Sequence, residues 1–215
     1  MHDLAGALHR VRERIADAAR RAGRAPDAVA LLGATKTVPA ERIGEALALG
    51  LVDVGENRAQ ELLAKAPVLA DTTPPPRWHF VGRLQRNKVG ALARWVSVWQ
   101  SVDREPLVAA LARRAPGATT LIEVNLADEP QKGGCTPDDA AALVEAARTL
   151  GLDVTGLMTV HPQDDDPRRW FAALRELGDR LGLTELSMGM SDDFEIAVEE
   201  GATMVRVGRV LFGER

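Results

Sequence analysis

Three stretches of the chain carry residue types able to do chemistry together. Lys36 follows the apolar run AVALLGA (28–34) and precedes Pro39, where a helical pattern begins, so an ammonium stands at the tip of a segment that reads as buried. Desolvation and nearby cations lower the pKa of such an amine and make it a Schiff-base nucleophile. The alternative is a surface lysine whose stem alone is covered. GMSDD (189–193) reads as a loop opening a helix, with Ser191 as N-cap and two aspartates in the first turn. Capping accounts for that pattern, but amide N–H groups at a helix start also receive phosphate oxygens, and Ser191 can add a hydroxyl. VRVGR (205–209) supplies a second place of this sort, since Gly208 permits close approach to the backbone. Arg206, in the same run, either pairs with a carboxylate or faces a ligand lying toward Lys36.

These residues need elements to position them. Apolar runs recur at 28–34, 51–55, 78–82, 95–102, 119–126, 152–160, 183–188 and 202–208, mostly without the strict alternation of a half-exposed sheet. Between them lie helical patterns with local end signals: Pro39 to Gly50, Pro137 to Gly151, and a start at Asp166–Pro167. Strand–helix alternation forces parallel pairing through crossovers, giving an open doubly wound sheet or a closed barrel. Eight strands in 215 residues predict a single-domain (β/α)8 TIM barrel over residues 1–215, with the open sheet as the alternative. Leu4, Leu8, Val11 and Ile15 add an N-terminal amphipathic helix ended by Gly23, expected to pack on its own domain rather than on a membrane. PPPR (74–77) reads as a loop. In a barrel, Lys36, the GENR segment (55–58), and the GMSDD and VRVGR segments all fall at the C-terminal ends of strands, the face that carries function.

The formal charge of −4 argues against general nucleic-acid binding. The cations Arg83, Arg86, Lys88 and Arg94 lie among Leu84, Val89 and Leu92, and are expected to form the solvated face of an amphipathic helix; an anion or RNA site is the alternative. A lone Cys135 cannot form an internal disulfide, and no window resembles a secretory signal or a membrane span, so the expected location is cytoplasmic. His2, His9, His79 and His161 are scattered without ligand spacing, and no metal is expected.

A lysine amine, a phosphate cradle and an arginine facing a planar ring describe pyridoxal 5′-phosphate. The segments TKTVP (35–39), GENRAQE (55–61), WHFVGRLQRNK (78–88), GLM (156–158), SMGMSDDFEIAVEEGATMVRVG (187–208) and LFG (211–213) resemble the pyridoxal phosphate homeostasis protein family over nearly the whole chain. That family is similar to the N-terminal barrel domain of alanine racemase, fold type III. The resemblance implies that Lys36 bears the Schiff base, that Ser191 with the backbone of Gly208 and Arg209 holds the phosphate, and that Arg206 faces the pyridine nitrogen. It also implies Asn57 and His79 as further contacts lining the mouth. Arg209 stands where the family pattern suggests a smaller residue, which spares a backbone contact but not a hydroxyl one.

The same resemblance sets the choice between carrier and enzyme. Alanine racemase uses a tyrosine from a further domain as its second base. This chain has no tyrosine, and it ends at Arg215, just past the last strand, so no catalytic residue is assigned. The expectation is a non-catalytic protein of vitamin B6 homeostasis that binds the cofactor reversibly, delivers it to apo-enzymes, and is a monomer without nucleic-acid or membrane partners. The alternative is a narrow-scope racemase, with His79 or His161 as the base.

Overall fold

The N-terminal helix α1 spans Leu4–Arg21 in the computed structural model, which describes residues 3–162 and 165–213. His2, Gln163, Asp164 and Arg215 lie outside the described residues. Asp3 starts α1 by accepting a hydrogen bond from the Gly6 N–H at 2.9 Å, and Leu4, Leu8, Val11 and Ile15 are buried at helical spacing. Their stripe is covered by the barrel's own outer helices. Arg14 reaches Glu195 at 2.8 Å and its guanidinium lies 4.5 Å from the centre of the Phe194 ring.

Eight strands follow: β1 Ala30–Ala34, β2 Asp53–Glu56, β3 Arg77–Phe80, β4 Val96–Val102, β5 Thr119–Glu123, β6 Asp153–Met158, β7 Glu185–Ser187 and β8 Met204–Val207. Each pairs parallel to the next and β8 pairs back to β1, which closes the barrel and excludes the open sheet. The crossovers carry α2 Ala40–Ala48, α3 Ala59–Lys65, α4 Val89–Leu92, α5 Glu105–Arg114, α6 Ala140–Thr149, α7 Pro167–Leu181 and α8 Phe194–Glu199, with α9 Arg209–Phe212 after β8. The Asp166 side chain caps α7 through the Arg168 N–H at 3.0 Å, with Pro167 in the first turn.

Two local expectations are corrected. The segment 83–94 is not one amphipathic helix: Arg83 lies in the loop after β3, Arg86–Lys88 form a 3₁₀ turn, and only Val89–Leu92 are α-helical. Ser191 is not an N-cap, because α8 begins at Phe194 with Asp193 before it. The Asp193 carboxylate turns back to accept the Met190 N–H at 2.6 Å instead of capping forward.

Alternation along the strands divides the core in two. Trp78, Phe80, Val54 and Val205 join the large apolar layer between strands and helices, whereas Val98, Leu121 and Met158 form a small separate cluster inside the barrel. A Cβ on Gly55 would stand 2.6 Å from a Leu32 methyl, so both residues share the inner face. The rest of that interior is largely polar. His79, Gln100, Ser187 and Arg206 are all buried there.

Candidate functional site

Lys36 sits in the turn directly after β1, at the C-terminal mouth, and is half-buried. Its ammonium has no hydrogen-bond or ion-pair partner among the described residues. The backbone around it is tied down on both sides. Thr37 takes the left-handed conformation at φ 62°, costly for a β-branched residue, and its N–H donates to Glu61 Oε2 at 2.7 Å. Lys65 Nζ donates to the Thr35 carbonyl at 2.9 Å, to Glu56 Oε1 at 2.6 Å and to Glu61 Oε2 at 2.9 Å. Thr35 Oγ1 also donates to Glu56 Oε1, at 2.7 Å. Burial raises the Glu56 pKa against the pull of Lys65 and Thr35. For Glu61 the bonds to Lys65 and to the Thr37 N–H outweigh burial and hold the pKa below its usual value. The sequence reading missed this brace. Its legible trace was the i, i+4 pair Glu61–Lys65 on α3.

Arg206 comes from β8, next to β1, with Leu32 opposite it in the register. The guanidinium is buried, and its hydrogen-bond partners are neutral: the Ser187 carbonyl at 2.7 Å, Ser187 Oγ at 2.8 Å and the Thr159 carbonyl at 2.7 Å. Burial pushes its pKa down to about 10, so it remains a cation at neutral pH. Below it a chain of hydrogen bonds crosses the barrel. Ser187 Oγ lies 2.6 Å from Gln100 Oε1, Gln100 Nε2 lies 2.7 Å from His79 Nδ1, and His79 Nε2 lies 2.9 Å from Asp53 Oδ1. With Ser187 Oγ–H donating to Gln100 Oε1, the bonds along this chain can all run one way, from the Arg206 cation toward Asp53, an order that assigns the Nε2–H tautomer to His79; Gln100 Nε2 also reaches Met204 Sδ at 3.2 Å, and Arg77 pairs with Asp53 from outside the chain.

The two segments expected to hold phosphate do meet. The Gly208 N–H donates to Ser191 Oγ at 3.4 Å, and Ser191 is buried. Arg209 is exposed and its guanidinium pairs with Asp192, so its backbone alone faces this junction. Asn57, in the loop after β2, keeps a buried Oδ1 without a partner.

His79 is not at the mouth. It is fully buried inside the barrel with both ring nitrogens engaged, behind the mouth rather than lining it. His161 is equally committed: Nδ1 lies 2.5 Å from the Pro162 carbonyl and Nε2 2.7 Å from Asp193, whose hydrogen bond raises the imidazole pKa. Neither is a free base. The acidic group that sequence reasoning missed is Glu123, the inward-facing last residue of β5, which burial pushes up to about 7. Cys135 is buried and its thiol is pushed up to about 12, an inert environment. Among the described residues no three His, Cys, Asp or Glu side chains are grouped to hold a metal ion.

The family model described as "Alanine racemase, N-terminal domain" matches residues 7–215. The chain is similar to the pyridoxal phosphate homeostasis protein of Aquifex aeolicus, 47% identical over 97% of this chain and 96% of that one. It is also similar to the solved structure of PipY from Synechococcus elongatus with PLP bound, 35% identical with a TM-score of 0.78, over 93% of this chain and 100% of that one. An alanine racemase structure from Corynebacterium glutamicum, 16% identical with a TM-score of 0.66 over 95% of this chain and 61% of that one, shares the fold. With identity at this level sustained along almost its entire length, the chain belongs to the pyridoxal phosphate homeostasis protein family.

Proposed function

We propose that the protein is a non-catalytic holder of pyridoxal 5′-phosphate, attached reversibly through Lys36 and serving vitamin B6 homeostasis. The observation that carries the proposal is the unpartnered Lys36 amine in the turn after β1, the strand paired with the β8 that bears Arg206, with the Ser191–Gly208 junction after β7 and β8. The residues fit the group: the amine suits an aldehyde, the junction suits a phosphate, and a buried cation with spare N–H donors suits a ring nitrogen. Ser191 and the backbone of Gly208 and Arg209 would hold the phosphate, and Asn57 would line the mouth. The bound group supplies an aldehyde for capture and an electron-withdrawing ring.

The remaining chemistry belongs to the chain. Arg206 stays protonated and can only donate, so a ring nitrogen facing it would stay unprotonated and withdraw electrons weakly. That suits holding more than turnover. The two histidines near the barrel axis and mouth have no free nitrogen, and the 215 residues contain no tyrosine to act as a second base. Release to apo-enzymes, action as a monomer and a cytoplasmic location belong to the same proposal. The last is supported by a buried, unbridged Cys135. No helix among the described residues is long and apolar enough to cross a membrane.

The test is an absorption spectrum of purified protein with added pyridoxal phosphate, followed by borohydride and peptide mass mapping. A violet-edge band, its loss in Lys36→Ala, and a reduced adduct on Lys36 are expected. An unaltered spectrum in Lys36→Ala would refute the attachment site. One observation favours a second reading, a racemase of narrow scope: the inward Glu123 carboxyl has a pKa near neutrality and could move a proton. Amino acids incubated in deuterated water separate the two, because catalytic incorporation of α-deuterium that is lost in Glu123→Gln would overturn the holder reading.

A further inference from the structure

A second charged surface adjoins the mouth on the side of β2, β3 and β4. Two clefts of about 770 and 600 Å³ meet there and share Gln85 and Arg104. Arg58, Arg83, Lys88 and Arg104 line one, and Arg86 and Arg113 extend the other. Residues 83–114 hold seven Lys or Arg against two Asp or Glu, in a chain whose net charge is −4. Elsewhere many arginines are matched, as in Arg14–Glu195, Arg21–Glu199 and Arg175–Glu200, and those without an ion pair among the described residues, such as Arg10, Arg24 and Arg180, do not gather around one cleft. Here Arg83, Arg86, Lys88 and Arg113 have no ion pair among the described residues. Arg58 has only a 3.9 Å contact to Glu61.

The surface is built rather than a stretch of solvated helix. A Cβ on Gly82 would fall 2.1 Å from the Asn57 carbonyl oxygen, so only glycine lets the loops after β2 and β3 pack backbone against backbone, which brings Arg58 and Arg83 to one cleft. Arg104, paired with Asp103, donates to the Leu84 carbonyl at 2.7 Å and pins the start of α5 to the same loop. The 3₁₀ turn then presents Arg86 and Lys88 to neighbouring clefts. The field reaches into the mouth, since Arg83 and Arg104 both favour the charged form of Glu123. Unpaired cations around a concavity repel one another and concentrate anions, and guanidinium forks match phosphate oxygens two at a time.

We propose that this groove binds a small, multiply anionic ligand of the oligophosphate class, at a site separate from the Ser191–Gly208 junction. The site stands independently of the cofactor reading. Its test is calorimetric titration with inorganic tripolyphosphate and with orthophosphate, at low and high salt. Saturable binding is expected, at least about tenfold tighter for tripolyphosphate and weakened by salt, since each lost tenfold is about 1.4 kcal/mol. The variant Arg83→Gln/Lys88→Gln should lose about tenfold or more at an unchanged melting temperature, whereas Arg180→Gln on α7 should bind as the wild type does. Four results would overturn the proposal: no saturable binding, equal loss in Arg180→Gln, loss in Ser191→Ala but not in the double variant, or tighter binding of single-stranded RNA or an acidic peptide than of tripolyphosphate.

Discussion

Glu123 offers the sharpest quantitative test of the barrel interior. It shares the inner face of β5 with Leu121, is 9% exposed, and its carboxylate has no hydrogen-bond or ion-pair partner among the described residues. Burial, reinforced by Asp103, pushes its pKa from 4.5 to about 7 against the pull of Arg206, Arg83 and Arg104. Between those values the folded state keeps a proton that the unfolded chain has released. Stability therefore falls as pH rises through the window, and the loss is complete above about 7. At about 1.4 kcal/mol per pKa unit, the shift caps the effect at about 3 kcal/mol. Glu123→Gln mimics the protonated carboxyl. It should match the wild type at about pH 4.5 and exceed it by about 1–3 kcal/mol at about pH 8.5, the lower figure allowing for solvent reaching the carboxylate. Urea unfolding across that range, without added cofactor, measures the difference. A variant-minus-wild-type gap that stays flat with pH would show that Glu123 ionises normally in the fold and would refute the reasoning.

The brace behind Lys36 and the chain beneath Arg206 each make a further prediction. Lys65→Met leaves the fully buried Glu56 without its cation and should cost about 3–5 kcal/mol in chemical denaturation, while Glu56→Leu/Lys65→Met should recover most of that; equal losses in both would show that the pair contributes packing alone. Nitrogen-15 spectra of the His79 ring should report the neutral Nε2–H tautomer in the wild type, with mixed tautomers in Gln100→Leu, and an Nδ1–H wild type would break the one-way chain.

How much of this was legible follows from where each residue's partners lie. All eight strands could be read because each keeps a short cluster of apolar residues on its helix-facing side within a local window, even where inward positions such as Asp53, His79 and Gln100 are polar, and no distant contact was needed to see it. Closure was less direct, since an open sheet and a barrel share the same alternation and differ only in whether β8 meets β1. In WHF the sequence does not say that Trp78 and Phe80 face the helices while His79 faces Asp53 and Gln100, so its depth in the barrel, below the mouth, could not be read locally. The periodicity of Leu84, Val89 and Leu92 suggested a helix because all three are buried, yet the loop is held elsewhere, at Asn57 and Arg104. The Ser191 cap expectation fails because Asp193 bonds Met190 and His161, the second of these a contact outside any local window.

The polar interior links the fold to the site. Small barrels are ordinarily filled by layers of branched apolar side chains, and a buried guanidinium in such a core is costly unless its donors are met. Here no carboxylate bonds Arg206 directly among the described residues: Glu123 and Asp193 favour its charge from a distance, and the bonded chain leads through Ser187, Gln100 and His79 to Asp53, which is itself paired with Arg77. A carboxylate placed directly against Arg206 would have satisfied the cation and filled its donors. With the anion displaced, Nη1 is occupied by Ser187, one Nη2 hydrogen by Thr159, and the Nε–H and the other Nη2–H remain uncommitted. The arrangement keeps a charged arginine fixed in orientation and unsaturated on β8, the strand paired with β1 just before Lys36, as the proposed hold on a ring-bearing ligand requires.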